Sequence, residues 1–271
     1  MADARRSGVA RRRSGPTAVT RILDTHCHVD AYPDPRAVLA EADASGVDVV
    51  AVSETPEAYR RLRTRLGRTA GVSVALGLHP ASSAAAAAGQ LERFLRMLPD
   101  APWIGEVGLD FAPGAERRER TRQANAFAAV LDHRMSRAKP MTVHSRGAAK
   151  EVVQMLTEAG QRAVLHWYSG DLTTADNALA AGLWFSVNPS MTRSAKGRSL
   201  IGRLPVDRVL CETDGPYCRT GSRAARPADV AVVARSLADA WSCSHDDAAV
   251  AVAANARVFL DGWLRPSALH G

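Results

Sequence analysis

The sequence predicts a single α/β domain folded as a closed (β/α)8 TIM barrel. Three observations carry that reading. Eight short apolar runs alternate with longer amphipathic stretches, the 271-residue length suits one barrel, and no glycine-rich turn follows the first run. A doubly wound sheet would stop at five or six strands and would want such a turn for a dinucleotide.

Taken in order, the apolar runs place strands at 21–25, 47–52, 72–77, 103–106, 141–143, 163–165, 183–187 and 209–211. The amphipathic stretches between and after them place helices at 35–44, 56–66, 90–98, 116–137, 147–159, 174–181, 194–203 and 227–241, and a ninth at 244–264 closes the chain. Phe94, Phe127, Met135, Met141 and Met155 fall where they would fill the space between barrel and helices. The last helix, carrying Val250, Val252 and Phe259, is expected to pack across helices one and eight, with Trp241 beside it. The folded unit is thus 21–264, preceded by a basic segment 1–20 and followed by a tail 265–271.

Segment 1–20 holds five arginines against Asp3 among Ser, Gly, Ala and Pro, and has almost nothing to bury. It is expected to be disordered: a solvated tail, residues ahead of the natural start, or an arm for nucleic acid. Its arginines run into Ser14, Gly15 and Pro16 instead of an apolar stretch, which argues against an export signal. That segment supplies +4 of the formal +7 charge, so net charge by itself does not indicate a nucleic-acid partner. Cys27, Cys211, Cys218 and Cys243 form no CxxC pair, as expected in a reducing compartment. No run approaches the ~18 apolar residues of a membrane span, and the expected location is the cytoplasm.

The metal-capable side chains fall in a pattern. His26 and His28 follow strand one, His79 strand three, His144 strand five, His166 strand six and Asp214 strand eight, while Glu106 ends strand four. Strand C-terminal ends converge on the catalytic face of a barrel, so these residues would meet in one pocket. His26 and His28, two apart on extended chain, point to the same side and can both serve one ion. A lone HxH is a weak signal, and a lone histidine at a strand end is usually a satisfied polar residue; the joint placement is the informative feature.

Imidazole and carboxylate donors suit Zn or Mn, with Mg as a further candidate. Two divalent ions are expected. His26, His28, Glu106 and Asp214 would hold one, and Glu106 would also reach a second held by His144 and His166. Two ions about 3.5 to 4 Å apart activate a water and neutralise charge on a phosphodiester. Asp214 and Glu106 are the expected catalytic carboxylates, Asp214 as general base.

The stretches Ile22-Leu23-Asp24-Thr25-His26-Cys27-His28-Val29-Asp30 and Ile104-Gly105-Glu106-Val107-Gly108-Leu109-Asp110-Phe111 closely resemble motifs of the TatD family. Val143-His144-Ser145-Arg146, His166-Trp167-Tyr168-Ser169-Gly170 and Glu212-Thr213-Asp214-Gly215-Pro216-Tyr217 resemble its remaining three, in the same order over about 21–262. The resemblance implies a divalent-metal-dependent DNase with His26, His28, Glu106, His144, His166 and Asp214 as ligands, acting as a 3'-to-5' exonuclease on single-stranded DNA.

Two motifs depart from the family. Trp167-Tyr168 stands where common members have Cys-Phe, and strand seven reads Phe185-Ser186-Val187-Asn188-Pro189-Ser190-Met191 in place of a glycine-containing signature. These changes spare the ligands and bear on substrate choice. With Asp30-Ala31-Tyr32-Pro33-Asp34-Pro35 and the Arg193–Arg198 run, they are similar to the TatD-like subunit of Qat anti-phage defence cassettes. That resemblance implies partner subunits, including an ATPase and a nucleobase-modifying enzyme.

For substrate, the loops after strands five, seven and eight offer Arg146, Arg193, Lys196, Arg198, Arg219, Arg223 and Arg226, a set that would make a phosphate-binding funnel. Singly, each reads as a solvated surface charge. Arg146, two residues after His144, is the first expected phosphate contact. Tyr32, Trp167 and Tyr168 are candidates to stack on unpaired bases, with Trp167 equally suited to the core. His79 is expected to meet substrate, and Asp110 and Glu212 to orient the ligand histidines. Two other readings compete with a nuclease. An amide or ester hydrolase, such as an aminoacyl-nucleic-acid deacylase, would use the same metals and favour a small apolar pocket. A catalytically silent defence subunit would be expected to have lost ligands, and all six are present.

Overall fold

Pro35 and Pro56 illustrate how local chemistry sets the elements. Each sits at the first helical position, where its missing N–H costs nothing, and the residue before it caps the helix. Asp34 accepts from the backbone N–H of Arg36 and Ala37, and Thr55 from that of Ala58. The resulting helices, α1 (Pro35–Ala44) and α2 (Pro56–Leu66), have the bounds expected from sequence.

The computed structural model describes residues 20–264, so the basic segment apart from Thr20 and the tail 265–271 lie outside the described residues. Eight parallel strands pair in chain order and close on themselves: β1 (Ile22–Cys27), β2 (Val47–Ala51), β3 (Val72–Leu76), β4 (Trp103–Gly108), β5 (Met141–His144), β6 (Val164–Leu165), β7 (Trp184–Val187) and β8 (Val209–Cys211). Asp24 pairs with Cys211 to complete the ring. Outside it lie α3 (Gln90–Met97), α4 (Arg117–Asp132), α5 (Ala149–Glu158), α6 (Leu172–Ala180), α7 (Pro189–Arg193) and α8 (Ala195–Arg203). A two-strand ribbon, β9 (Arg219–Thr220) and β10 (Arg223–Ala224), precedes α9 (Val230–Trp241) and α10 (His245–Leu264). None of the helices described is long and apolar enough to cross a membrane.

The barrel has two apolar clusters, as alternation along its strands requires. Val49 and Ala51 face the helix layer, while Val50 and Val52 join Ala75, Trp103, Val164, Trp184, Leu210 and Phe259. Phe259 of α10 lies 5.8 Å from the Trp103 ring and 5.6 Å from that of Trp184, so α10 plugs the end of the barrel opposite the strand C-termini. The expected placement across helices one and eight holds for the second of these: α10 packs on α9, the helix expected at 227–241, and otherwise on β1 and β8 in place of α1. Val250 is consequently 55% exposed, not interior. Phe94, Phe127 and Met141 are buried in the helix-layer core, with Met135 and Met155 packed against its edge.

Large aromatics at the bottom leave the upper barrel to polar side chains. Gly108, at φ 131°, lets β4 press against β5 there; a Cβ on it would lie 2.1 Å from the His144 carbonyl oxygen. Gly108 is the register partner of His144, so Glu106 and His144 come close together on adjacent strands.

Candidate metal centre

At the C-terminal end of the barrel, Glu106 divides its two carboxylate oxygens between two groups of imidazoles. Its Oε2 lies 3.3 Å from His28 Nε2 and 3.4 Å from His26 Nε2. Its Oε1 lies 2.6 Å from His144 Nδ1 and 2.8 Å from His166 Nε2. Asp214 completes the first group, with Oδ1 3.5 Å from His28 Nε2 and 3.8 Å from His26 Nε2. His26, His28, Glu106, His166 and Asp214 are almost wholly buried, and His144 nearly so.

Two of the four rings have the far nitrogen engaged, which turns the other inward. His26 Nδ1 is 2.8 Å from Thr142 Oγ1, and His144 Nε2 is 2.9 Å from Asp110 Oδ2. His166 Nδ1 points toward Glu212 Oε1 at 3.7 Å, beyond hydrogen-bond reach. Buried Asp24 accepts from the backbone N–H of His26 (3.2 Å) and Thr213 (3.0 Å) and from Thr213 Oγ1 (2.5 Å), so it binds the two chain segments that carry His26 and Asp214.

The electrostatics follow from this packing. Burial would raise the Glu106 carboxyl, but His79, His166, His26 and His144 outweigh it and hold it well below the ordinary range. Burial pushes Asp214 up to about 7, with Glu106 and Glu212 adding to the lift against His166 and His28. His26 is driven well down by burial and by His166. In His28, His144 and His166 burial acts downward and Glu106 more than reverses it.

The donor set fits divalent metal. Inward nitrogens approach one another closely, His26 Nε2 to His28 Nε2 and His144 Nδ1 to His166 Nε2 each at 3.3 Å, with carboxylate oxygens on both sides. Imidazole nitrogens and carboxylate oxygens converging at that spacing are the donor types that hold a divalent cation. The groups His26–His28–Asp214 and His26–Glu106–His166 each bring their donor atoms within 4.8 Å. His79 also stands near Glu106 Oε1, at 3.4 Å from Nε2, yet its Nδ1 accepts from the Ala81 N–H at 3.1 Å. A neutral ring so engaged presents Nε2–H toward Glu106, and His79, Glu106 and His144 form a third group whose donor atoms lie within 4.8 Å of one another.

Above these residues lies a pocket of about 680 Å³, lined among others by His79, Asp110, Arg146, Trp167, Tyr217 and Glu54. Several expected substrate contacts are not there. Tyr168 is 3% exposed, its ring packs against Phe185, and its hydroxyl donates to Asp171 O, which corrects the stacking role. Tyr32 is likewise buried, donating to Ala225 O. Arg193 and Lys196 do not line the pocket; they donate to the carbonyls of Arg219 and Ser169. Arg198 and Arg219 also turn to backbone carbonyls, Arg223 pairs with Asp229 and Arg226 with Glu41. The expected funnel reduces to Arg146, whose side chain is 65% exposed with NH1 3.9 Å from Asp110 Oδ2.

Sequence reasoning missed Tyr217, Glu54 and Thr142. Tyr217 is 57% exposed and stands edge-on to His28 at 4.8 Å. A signal existed for two of them: Tyr217 closes the Glu212–Tyr217 motif, and Glu54 follows strand two as the ligands follow theirs.

A closed parallel barrel gathering imidazoles and carboxylates at its strand C-termini is the architecture of a metal-dependent hydrolase. Residues 23–261 match the family described as TatD related DNase. The chain belongs to the TatD family of metal-dependent hydrolases. It is 31% identical over 215 residues to human deoxyribonuclease TATDN3, covering 72% of this chain and 78% of that protein. Identity is 30% over 264 residues to the uncharacterized metal-dependent hydrolase TatD of Mycobacterium tuberculosis, covering 90% of this chain and all of that one. The crystal structure of the Escherichia coli TatD homologue YjjV superposes with a TM-score of 0.80 at 26% identity, covering 89% of this chain and 98% of that one.

Proposed function

We propose that the protein is a two-metal deoxyribonuclease that trims single-stranded DNA from its 3' end. The observation that carries this reading is the division of Glu106 between His26/His28 and His144/His166 beneath a pocket edged by Arg146. His26, His28, Glu106 and Asp214 would hold one ion, and Glu106, His144 and His166 the other. Two such ions, whether Zn, Mn or Mg, supply an activated water and neutralise charge on the phosphodiester.

The chain's own groups do the rest. Asp214, whose carboxylate faces His26 and His28 at the floor of the pocket, accepts the proton of the attacking water. Arg146 and the His79 Nε2–H bind nonbridging phosphate oxygens, while Asp110 holds the His144 ring in place. A pocket of about 680 Å³ above the ligands has room for a terminal nucleotide.

The test is cleavage of end-labelled single-stranded DNA with Mn, Mg or Zn, beside Asp214→Asn and an EDTA control. Stepwise shortening of a 5'-labelled strand that vanishes in both controls is expected. Cleavage of an aminoacyl ester with DNA left intact would move the reading to the deacylase alternative.

The segment 30–35, strand seven and the 193–198 run support a place in anti-phage defence, in the cytoplasm with Qat partner subunits that include an ATPase. Co-purification of those subunits with the tagged full chain is the expected result, and their absence from the eluate would remove that role.

A further inference from the structure

We propose that Trp167 and Tyr217 form a slot for the unpaired base of the terminal nucleotide, a subsite that rests on the nuclease reading and names what the pocket recognises beyond phosphate. Trp167 follows the ligand His166 directly. Its φ of 38° lies in the left-handed region, which a bulky residue seldom adopts. That turn carries its ring to the pocket wall and sends the next residue, Tyr168, into the core.

The conformation is held by Glu212. This fully buried carboxylate accepts the Trp167 backbone N–H at 3.0 Å, the Asn188 Nδ2 at 3.0 Å and the Ser186 hydroxyl. Asn188 is itself oriented, because its Oδ1 caps α7 by accepting from Ser190 and Met191 N–H. Ser186 lies in β7 and Asn188 just beyond it, so one carboxylate ties the turn after β6 to the end of β7.

What the wall offers is aromatic. Tyr217 projects with its ring more than half exposed, braced edge-on by His28, and lines the same pocket as Trp167. Phosphate needs neither ring, whereas a base has a planar face and stacks on aromatics regardless of its identity. Paired bases inside a duplex keep those faces covered. The slot therefore selects single-stranded ends without reading sequence.

The test is calorimetric binding of deoxyadenosine 5'-monophosphate and of 2-deoxyribose 5-phosphate to the metal-loaded full chain. Wild type is expected to bind the nucleotide roughly 5- to 150-fold more tightly, the range set by stacking on one base. Trp167→Ala and Tyr217→Ala should each shrink that ratio while affinity for the sugar phosphate and metal content hold, and Trp167→Phe should keep most of it. Equal affinity of wild type for both ligands would overturn the slot, as would an unchanged ratio in both alanine variants. If Trp167→Ala does not fold, the exposed Tyr217→Ala carries the test alone. Binding is read without cleavage, so a chain that cuts no DNA still reports on the slot. DNA cleavage alongside equal affinities keeps the nuclease and removes the slot.

Discussion

His26 Nδ1 lies 2.8 Å from Thr142 Oγ1, a contact that ties the first strand to the fifth across 116 positions of sequence. Both side chains are fully buried. The contact orients the His26 ring so that Nε2 faces His28, Glu106 and Asp214. Thr142→Val keeps the shape and removes the hydroxyl. Metal affinity of the apoprotein should fall by about 10- to 100-fold, the usual cost of losing a partner behind a ligand. Titration of metal into the stripped protein checks this, and unchanged affinity would show that packing alone orients the ring.

Metal should stabilise the fold strongly, because it supplies the positive charge that buried Glu106 and Asp214 otherwise draw only from imidazoles. Free metal at a hundredfold excess over Kd adds about 2.7 kcal/mol. For a domain of this size that corresponds to a rise in Tm of about 5 to 10 °C. Thermal scans of EDTA-stripped protein with and without Zn or Mn measure it; an unmoved Tm would deny the cluster a metal.

The stripped protein should lose stability as pH rises, through the Asp214 carboxyl between about 4 and 7 and through His28, His144 and His166 above about 6.5. Asp214, lifted by burial, and His28, His144 and His166, where Glu106 outweighs burial, all hold protons more tightly when folded. Their contribution is present at low pH and disappears as pH climbs through the folded values. Glu106 and His26 are shifted down and act in the opposite sense, adding stability as pH rises up to their unfolded values of about 4.5 and 6.5. Metal affinity should increase over the same range because each ion displaces protons. Calorimetry in buffers of different ionisation enthalpy should register net proton release.

Arg146→Ala should raise KM for DNA by about 10- to 100-fold, the worth of a charged hydrogen bond to phosphate. Arg193→Ala and Lys196→Ala should change KM little, since both cations are engaged with backbone carbonyls. Steady-state kinetics on a single-stranded oligonucleotide separates them, and equal effects from all three would restore the wider funnel.

Glu106, His144 and His166 could be placed from sequence because strand ends in a barrel have only one face on which to meet. The same regularity located α1 and α2 to the residue, through Asp34-Pro35 and Thr55-Pro56. Trp167 and Tyr168 show where that logic stops. Alternation along a strand does not survive a residue at φ 38°, so which ring meets solvent was not legible. Thr142 was invisible for another reason, since its partner lies four strands away.

Periodicity and local capping are properties of neighbouring residues, and they determined the barrel, its element order and the convergence of six ligand-type side chains. Hydrogen bonds between distant segments are not written in any local pattern. Only the tertiary structure decided that His79 engages its Nδ1 with the Ala81 N–H, that Tyr168 is buried while Tyr217 is exposed, and that of the many basic residues on the catalytic face Arg146 is the one lining the pocket. The physical reason is that carbonyls and carboxylates brought near by folding satisfy the other cations first.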